Sequence, residues 1–303
     1  MESDTLWTAT ADSQGTSALI LFHAELGSTN DTHNHPGSEY STFLESRPES
    51  LETDALSLIL RLARKYPSLR FHIVHLSASS AIPLLRQARA DGVTNLSIET
   101  CFHYLTLSSE EIQPNATQYK CCPPIRTEEN RRKLMQAVQD GLIDFVVSDH
   151  SPCVPELKAG DFMSAWGGVS GLGLGLSLLY TEMGQTLGLG KIVELLGSRQ
   201  ARQVGLDHKK GGLKAGLDAD FVVFDPNESR TVSLVSSRGT PGPGTSRRLA
   251  NTVADAQDDL KFKNKVSPYI GRTLQGWVKK TYLGGRLVWD GEQPSSSALG
   301  KLL

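Results

Sequence analysis

Short apolar runs alternate with stretches of helical periodicity along the first two thirds of the chain. Residues 17–23 (SALILFH) form a continuous apolar run ending in His23, the pattern of a buried strand. The polar stretch over 25–50 reads as a loop. Leu51, Ala55, Leu58, Ile59 and Leu62 then recur at helical spacing through residues 51–66. Residues 69–76 (LRFHIVHL) predict a second strand, 79–90 a helix stopped by Gly92, and 94–100 (TNLSIET) a third strand. Thr127 opens a helix over 127–140, with Glu128 and Glu129 in the first turn, where the helix dipole favours acidic groups. Gly141 ends it, and 143–148 (IDFVVS) is a fourth strand.

Strand then helix, repeated, with strands apolar on both faces, predicts an α/β fold on a parallel sheet covered by helices. His23, His75, the Glu99–Thr100 pair and Asp149 fall at the carboxyl ends of the strands. That rim is where barrel and doubly wound enzymes build their sites, and the spacing favours a (β/α) barrel. Beyond Asp149 the texture changes. A helix is expected over 191–204, two short strands around a turn over 211–226, and a Ser-, Arg-, Gly- and Pro-rich surface loop over 227–259. A hairpin over 278–290 turns at Gly284 and Gly285.

Composition narrows the classes. A hydrophobic share of 39% in 303 residues builds a sizeable core and excludes wholesale disorder. The net charge of −2, from 31 basic and 33 acidic residues, gives no footprint for nucleic acid or an acidic membrane. Four cysteines, two of them the adjacent Cys121 and Cys122, are not a disulfide scaffold; they read as thiols in a reducing, cytoplasmic setting. A polar, acidic start and the lack of an 18-residue apolar run lead us to expect no signal peptide and no membrane span. Two imidazoles and a carboxylate on one rim, His23, His75 and Asp149, suit a borderline metal such as zinc.

Further strings carry a resemblance. Residues 147–153 (VSDHSPC) with 155–158 (PELK) resemble the strand-8 signature of allantoinases, cyclic amidohydrolases that stand beside dihydropyrimidinases and dihydroorotases. Residues 21–25 (LFHAE), 47–48 (RP), 74–77 (VHLS), 99–104 (ETCFHY), 120–126 (KCCPPIR), 165–168 (AWGG), 216–223 (GLDADFVV) and 268–272 (PYIGR) follow in the family's order, with Phe102 where Pro is common.

The resemblance implies strands 5 to 8 of a TIM (β/α)8 metal-dependent hydrolase barrel over 1–205. The C-terminal strands of a small β-sandwich domain would occupy 206–303. It implies hydrolysis of allantoin to allantoate in purine catabolism, with a dihydropyrimidinase-like or dihydroorotase-like specificity as the alternative. His23 and His75 would be the strand-5 and strand-6 metal ligands. Asp149 would be the strand-8 ligand and the catalytic base. Cys122 and Pro123, with Val169 and Ser170, would line the pocket for the substrate ring, and His150 would hydrogen-bond beside the metal. Cys101 and Cys153 would lie nearby without ligating. The family's zinc site is binuclear; its strand-1 His-x-His and its bridging, carboxylated strand-4 lysine have no counterpart before His23. His33-x-His35 reads as surface loop. The chain alone is therefore expected to be weakly active or silent, and to associate as a homo-oligomer on a small cyclic ureide substrate. Of the other histidines, His72 is expected to point outward from its strand, opposite His75, and His103 to be a hydrogen-bonded rim residue.

Overall fold

The computed structural model describes residues 10–13, 15–16, 18–30, 32, 35–234 and 258–296. Four strands, β1 (Leu19–His23), β2 (Arg70–Val74), β3 (Leu96–Cys101) and β4 (Phe145–Val147), form one parallel sheet in the order β1-β2-β3-β4. The helices α2 (Ser50–Lys65), α3 (Ile82–Ala90) and α5 (Glu128–Gln139) lie between successive strands. Every strand pairs with the next in sequence. A barrel arc runs this way, whereas a doubly wound sheet reverses direction at a switch point.

One face of the sheet carries the core. Phe71, Ile73, Leu96 and Ile98 are buried in one cluster with Leu56, Ile59 and Leu62 of α2 and Leu85 of α3. Helix α2 spans Ser50–Lys65, within a residue of the apolar period over 51–66, and α5 is capped by the Thr127 side chain, which accepts from Asn130 N at 3.3 Å. The other face departs from the expectation of apolar strands on both sides. It presents His72, aligned with Ser97 on β3, and Leu21, aligned with His72 and 60% exposed.

The 25–50 stretch is not all loop. Helix α1 (Tyr40–Ser46) forms there because Tyr40 and Phe43 are buried, Tyr40 donating to Ile125 O at 3.0 Å. A short helix α4 (Phe102–Thr106) follows β3 directly. The Gly-rich run after Asp149 holds the helical stretch α6 (Gly175–Val193), which is broken at Gly188 (φ 71, ψ 158), and the part beyond the break runs through a π-helical turn into α7 (Arg199–Gln203) to form the helix expected over 191–204. Gly175 has a packing reason: a Cβ there would lie 2.3 Å from the Phe102 ring.

The second sheet is antiparallel, in the order β5 (Phe221–Thr231), β6 (Thr273–Leu283) and β7 (Arg286–Trp289). One long strand replaces the two short ones expected over 211–226, and it continues through the first five residues of the expected 227–259 loop; residues 235–257 of that loop lie outside the described residues. The β6–β7 hairpin turns at Gly284 and Gly285, both left-handed (φ 56 and 75), as the glycine pair predicts. Gln275 N of β6 donates to Thr181 Oγ1 at 2.8 Å, tying this sheet to α6.

Candidate active site

The backbone prepares the rim. Among the described residues, three non-glycine residues have left-handed φ: His75 (45), Asp149 (41) and Asn115 (60). Such conformations are costly for residues with a Cβ and concentrate where a site needs a side chain re-aimed. His75 immediately follows β2, and Asp149 lies two residues beyond β4. The kink at His75 breaks strand alternation, so parity from His72 no longer fixes its side. His75 reaches across to His23, Nε2 to Nδ1 at 3.0 Å.

His72 is a correction. It points neither to solvent nor to a helix. It is buried at 2% exposure, with Nδ1 2.8 Å from Ser97 Oγ, Nε2 3.1 Å from Glu99 Oε2, and its ring stacked on Phe145.

Behind His23 stands a charge relay that the motif strings contained but residue-by-residue reading did not interpret. His23 Nε2 lies 2.8 Å from Glu25 Oε2, and Arg47 grips the same carboxylate through Nε at 3.2 Å and Nη2 at 2.5 Å. Burial alone would push the Glu25 carboxyl up; the hydrogen bonds from His23 and Arg47 outweigh it and hold the group below the ordinary carboxylate range. A carboxylate on Nε2 fixes the proton there and leaves the Nδ1 lone pair free, the usual support of a metal-ligating imidazole. The available signal was a Glu two residues past a strand-end His.

Desolvation, then the neighbouring His23, lowers His75 to about 4, so its ring is neutral at physiological pH; its Nδ1 is buried without a hydrogen-bond partner. Burial pushes the Asp149 carboxyl up, with His23 acting in the opposite sense. Among the described residues, the group of three potential ligands close enough to share an ion is Cys101, His103 and Asp149, whose ligand atoms all lie within 4.8 Å of one another. His103 is therefore another correction: it is 1% exposed and neither ring nitrogen has a hydrogen-bond partner. Burial, then His75, lowers it to about 3.

Two ligand nitrogens at about 2.0–2.1 Å from a tetrahedral ion sit roughly 3.3 Å apart. The His23–His75 separation of 3.0 Å is close to that spacing, the two nitrogens sharing a hydrogen bond that an ion would replace. The 4.8 Å limit of the Cys101 group is wider, and burial holds the Cys101 thiol well above its ordinary value, which opposes the thiolate a metal requires. The imidazole pair is the better cradle. His35 lies on the exposed surface, 3.4 Å from Glu45; His33 lies outside the described residues.

The expected ring-lining residues sit on two loops pressed together. Gly168 N donates to Lys120 O at 2.8 Å, and a Cβ on Gly167 would meet Cys122 Sγ at 3.4 Å. The peptide between Cys122 and Pro123 is cis, and Tyr104 donates to Pro123 O at 2.7 Å. Val169 forms a parallel bridge with His150, next to Asp149, and Ser170 O accepts from Ser267 at 2.6 Å. His150 Nδ1 accepts from Gly171 N and Leu172 N, each at 3.2 Å, so that nitrogen braces the ring-lining loop. All four cysteines are unpaired.

An arc of parallel strands with imidazoles and a carboxylate on its carboxyl rim is the arrangement on which hydrolases of the barrel class build their sites. The amidohydrolase family model matches residues 11–288, and the chain belongs to that family. It is 43% identical over 294 residues to the allantoinase of Saccharomyces cerevisiae, covering 94% of this chain and 58% of the relative. It is 39% identical over 300 residues to the allantoinase of Streptomyces avermitilis, covering 96% of this chain and 60% of the relative. The chain thus spans less than two thirds of the length of these relatives. Among solved structures, a D-hydantoinase from Bacillus sp. AR9 superposes with a TM-score of 0.82 at 26% identity, over 97% of this chain and 62% of that one. A D-hydantoinase (dihydropyrimidinase) from Thermus sp. shares the fold at a TM-score of 0.82 and 23% identity, over 100% of this chain and 64% of that one.

Proposed function

We propose that this chain carries the metal-gripping and ring-binding portion of an allantoinase-type cyclic amide hydrolase, which opens allantoin to allantoate. The observation that carries this reading is the His23–His75 pair, 3.0 Å apart and backed by Glu25 and Arg47. His23 Nδ1, His75 Nε2 and the Asp149 carboxylate would hold zinc. An ion held there would supply an activated water and polarise the ring carbonyl. Asp149 accepts the proton as the carbonyl is attacked and delivers it to the departing ring nitrogen; its raised carboxyl value suits that exchange. Cys122 and Pro123 on one side, and Val169 and Ser170 on the other, hold the ring. His150 keeps the Ser170 loop against Asp149. The four unpaired thiols support a reducing, cytoplasmic setting. No helix among the described residues is long and apolar enough to cross a membrane.

The likeness to hydantoinases favours a second substrate reading, a hydantoin or dihydropyrimidine ring. The test is ring opening of allantoin, hydantoin, dihydrouracil and dihydroorotate by the purified 303-residue chain with added Zn²⁺. Slow turnover with allantoin preferred, abolished in Asp149→Asn, is the expected result. Allantoinase-like rates that survive Asp149→Asn would refute the assignment of the base.

A further inference from the structure

Two buried lysines near the rim have no role in the chemistry above, and neither has a carboxylate partner among the described residues. Lys158 closes a 3-10 turn (Pro155–Lys158) and is 9% exposed. Its ammonium donates to three backbone carbonyls: Trp166 O at 2.8 Å, Gly168 O at 2.8 Å and Lys120 O at 3.2 Å. Three N–H donors thus meet three acceptors drawn from two loops far apart in sequence. Lys120, 7% exposed, returns the contact with Nζ to Ala165 O at 2.6 Å and Met163 O at 3.1 Å. Thr117 Oγ1 donates to Lys158 O, and Trp166 N to Leu157 O at 2.8 Å. Gly168 is pinned from its far side, because a Cβ there would lie 2.5 Å from Ser151 Oγ.

We propose that Lys158 is a positioning residue: its ammonium locks the 120–126 loop to the 165–172 loop and so sets the gap between Cys122–Pro123 and Val169–Ser170. The part of this statement that concerns a ring pocket rests on the function proposed above; the lock itself does not. The clamp needs a full set of donors. A carbonyl cage without an ammonium would leave three buried acceptors facing one another, and the loops would separate. A carboxylate partner would have served charge pairing alone; three carbonyls fix a position in space. The lock is also independent of the metal cradle, because none of its contacts involves His23, His75 or Asp149.

The test compares the full chain with Lys158→Met by amide hydrogen exchange and by titration with hydantoin as the ring probe, zinc present. Exchange in peptides covering 117–126 and 165–172 is expected to rise together by about tenfold or more, the loss expected from even one charge-assisted hydrogen bond, while α2 and α5 keep their protection. Hydantoin affinity is expected to fall by at least about tenfold with zinc affinity unchanged. Lys158→Gln, which retains two donors, should fall between wild type and Lys158→Met, and it carries the test where Lys158→Met does not fold. Unchanged loop exchange, or acceleration spread evenly over the chain, overturns the proposal; so does failure of both variants to fold, which would give Lys158 to the fold as a whole. A wild-type chain that binds no hydantoin refutes the proposed function instead and leaves the exchange comparison to decide the clamp.

Discussion

Glu25→Gln tests the machinery behind the metal cradle. The carboxylate accepts three N–H groups: Arg47 Nε on Oε1, and both Arg47 Nη2 and His23 Nε2 on Oε2. The amide keeps the shape but turns one acceptor into a donor that must face an N–H, and it deletes the charge opposite Arg47. The Glu25 side chain is 6% exposed and Arg47 21%, so Arg47 regains only part of its hydration. Breaking one side of a buried pair costs ~3–5 kcal/mol; partial exposure and the surviving hydrogen bond reduce the expected loss to ~1–3 kcal/mol. The sign with pH follows from the depressed Glu25 carboxyl. Its stabilisation is present above the unfolded carboxylate value and is lost as pH falls through the lower folded one. The gap between wild type and variant should therefore be full at pH 7 and close in acid below about pH 4. With the Nε2 proton no longer held by a carboxylate, zinc affinity should fall by about 10–100-fold. Chemical denaturation across pH and calorimetric zinc titration measure the two effects. Unchanged zinc affinity would show that His23 is not a ligand through Nδ1, and a gap independent of pH would refute the charge argument.

His103→Leu should stabilise the chain by ~1–3 kcal/mol at neutral pH, because it removes a buried imidazole with two unpartnered nitrogens. The native ring titrates near 3 against 6.5 for the unfolded one, so stability falls as pH drops from about 6.5 toward 3, and the variant should lose that component of the slope in pH-dependent melts. Gly175→Ala drives a methyl to within 2.3 Å of the Phe102 ring and should cost ~1–3 kcal/mol, relieved in the double variant with Phe102→Leu; additivity of the two changes in unfolding free energy would refute the contact. Leu21→Lys, at a 60% exposed strand position, should leave stability within ~0.5 kcal/mol yet weaken self-association in light scattering; unchanged association would place the contact elsewhere. At Asp149 (φ 41), Gly should be more stable than Ala by roughly 1 kcal/mol in paired melts, the reverse of their order in a helix, and equal stability would remove the claim of backbone strain.

The periodicity of 51–66 and the Thr127 cap were legible because local chemistry and tertiary burial agree there. Helix α1 was not legible: its two buried aromatics earn their place through contacts such as Tyr40 to Ile125 O, far away in sequence. Helix α6 was hidden for the opposite reason. Its glycines weaken helix propensity and read as a breaker run; Gly188 does break the helix, whereas Gly175 is present so that the helix can approach Phe102. Strand β5 runs into Pro226 and polar residues that signal a loop, and bulges between Asp225 and Ser229 absorb the irregularity.

The site shows the same division in a single pair of residues. Strand alternation separates His72 from His75 by an odd number of steps, which argues for opposite faces, and the argument fails because β2 ends at Val74. One left-handed residue then turns His75 to His23, while His72 stays buried against Ser97 and Glu99 beneath them. Sequence carries the identity of the histidines but not the sign of a dihedral. The strained φ values fall on His75 and Asp149, two of the three residues that family resemblance nominates for the metal. Side-chain identity and backbone distortion therefore point to the same rim by independent routes, and Asp149 joins that rim to the cluster it forms with Cys101 and His103.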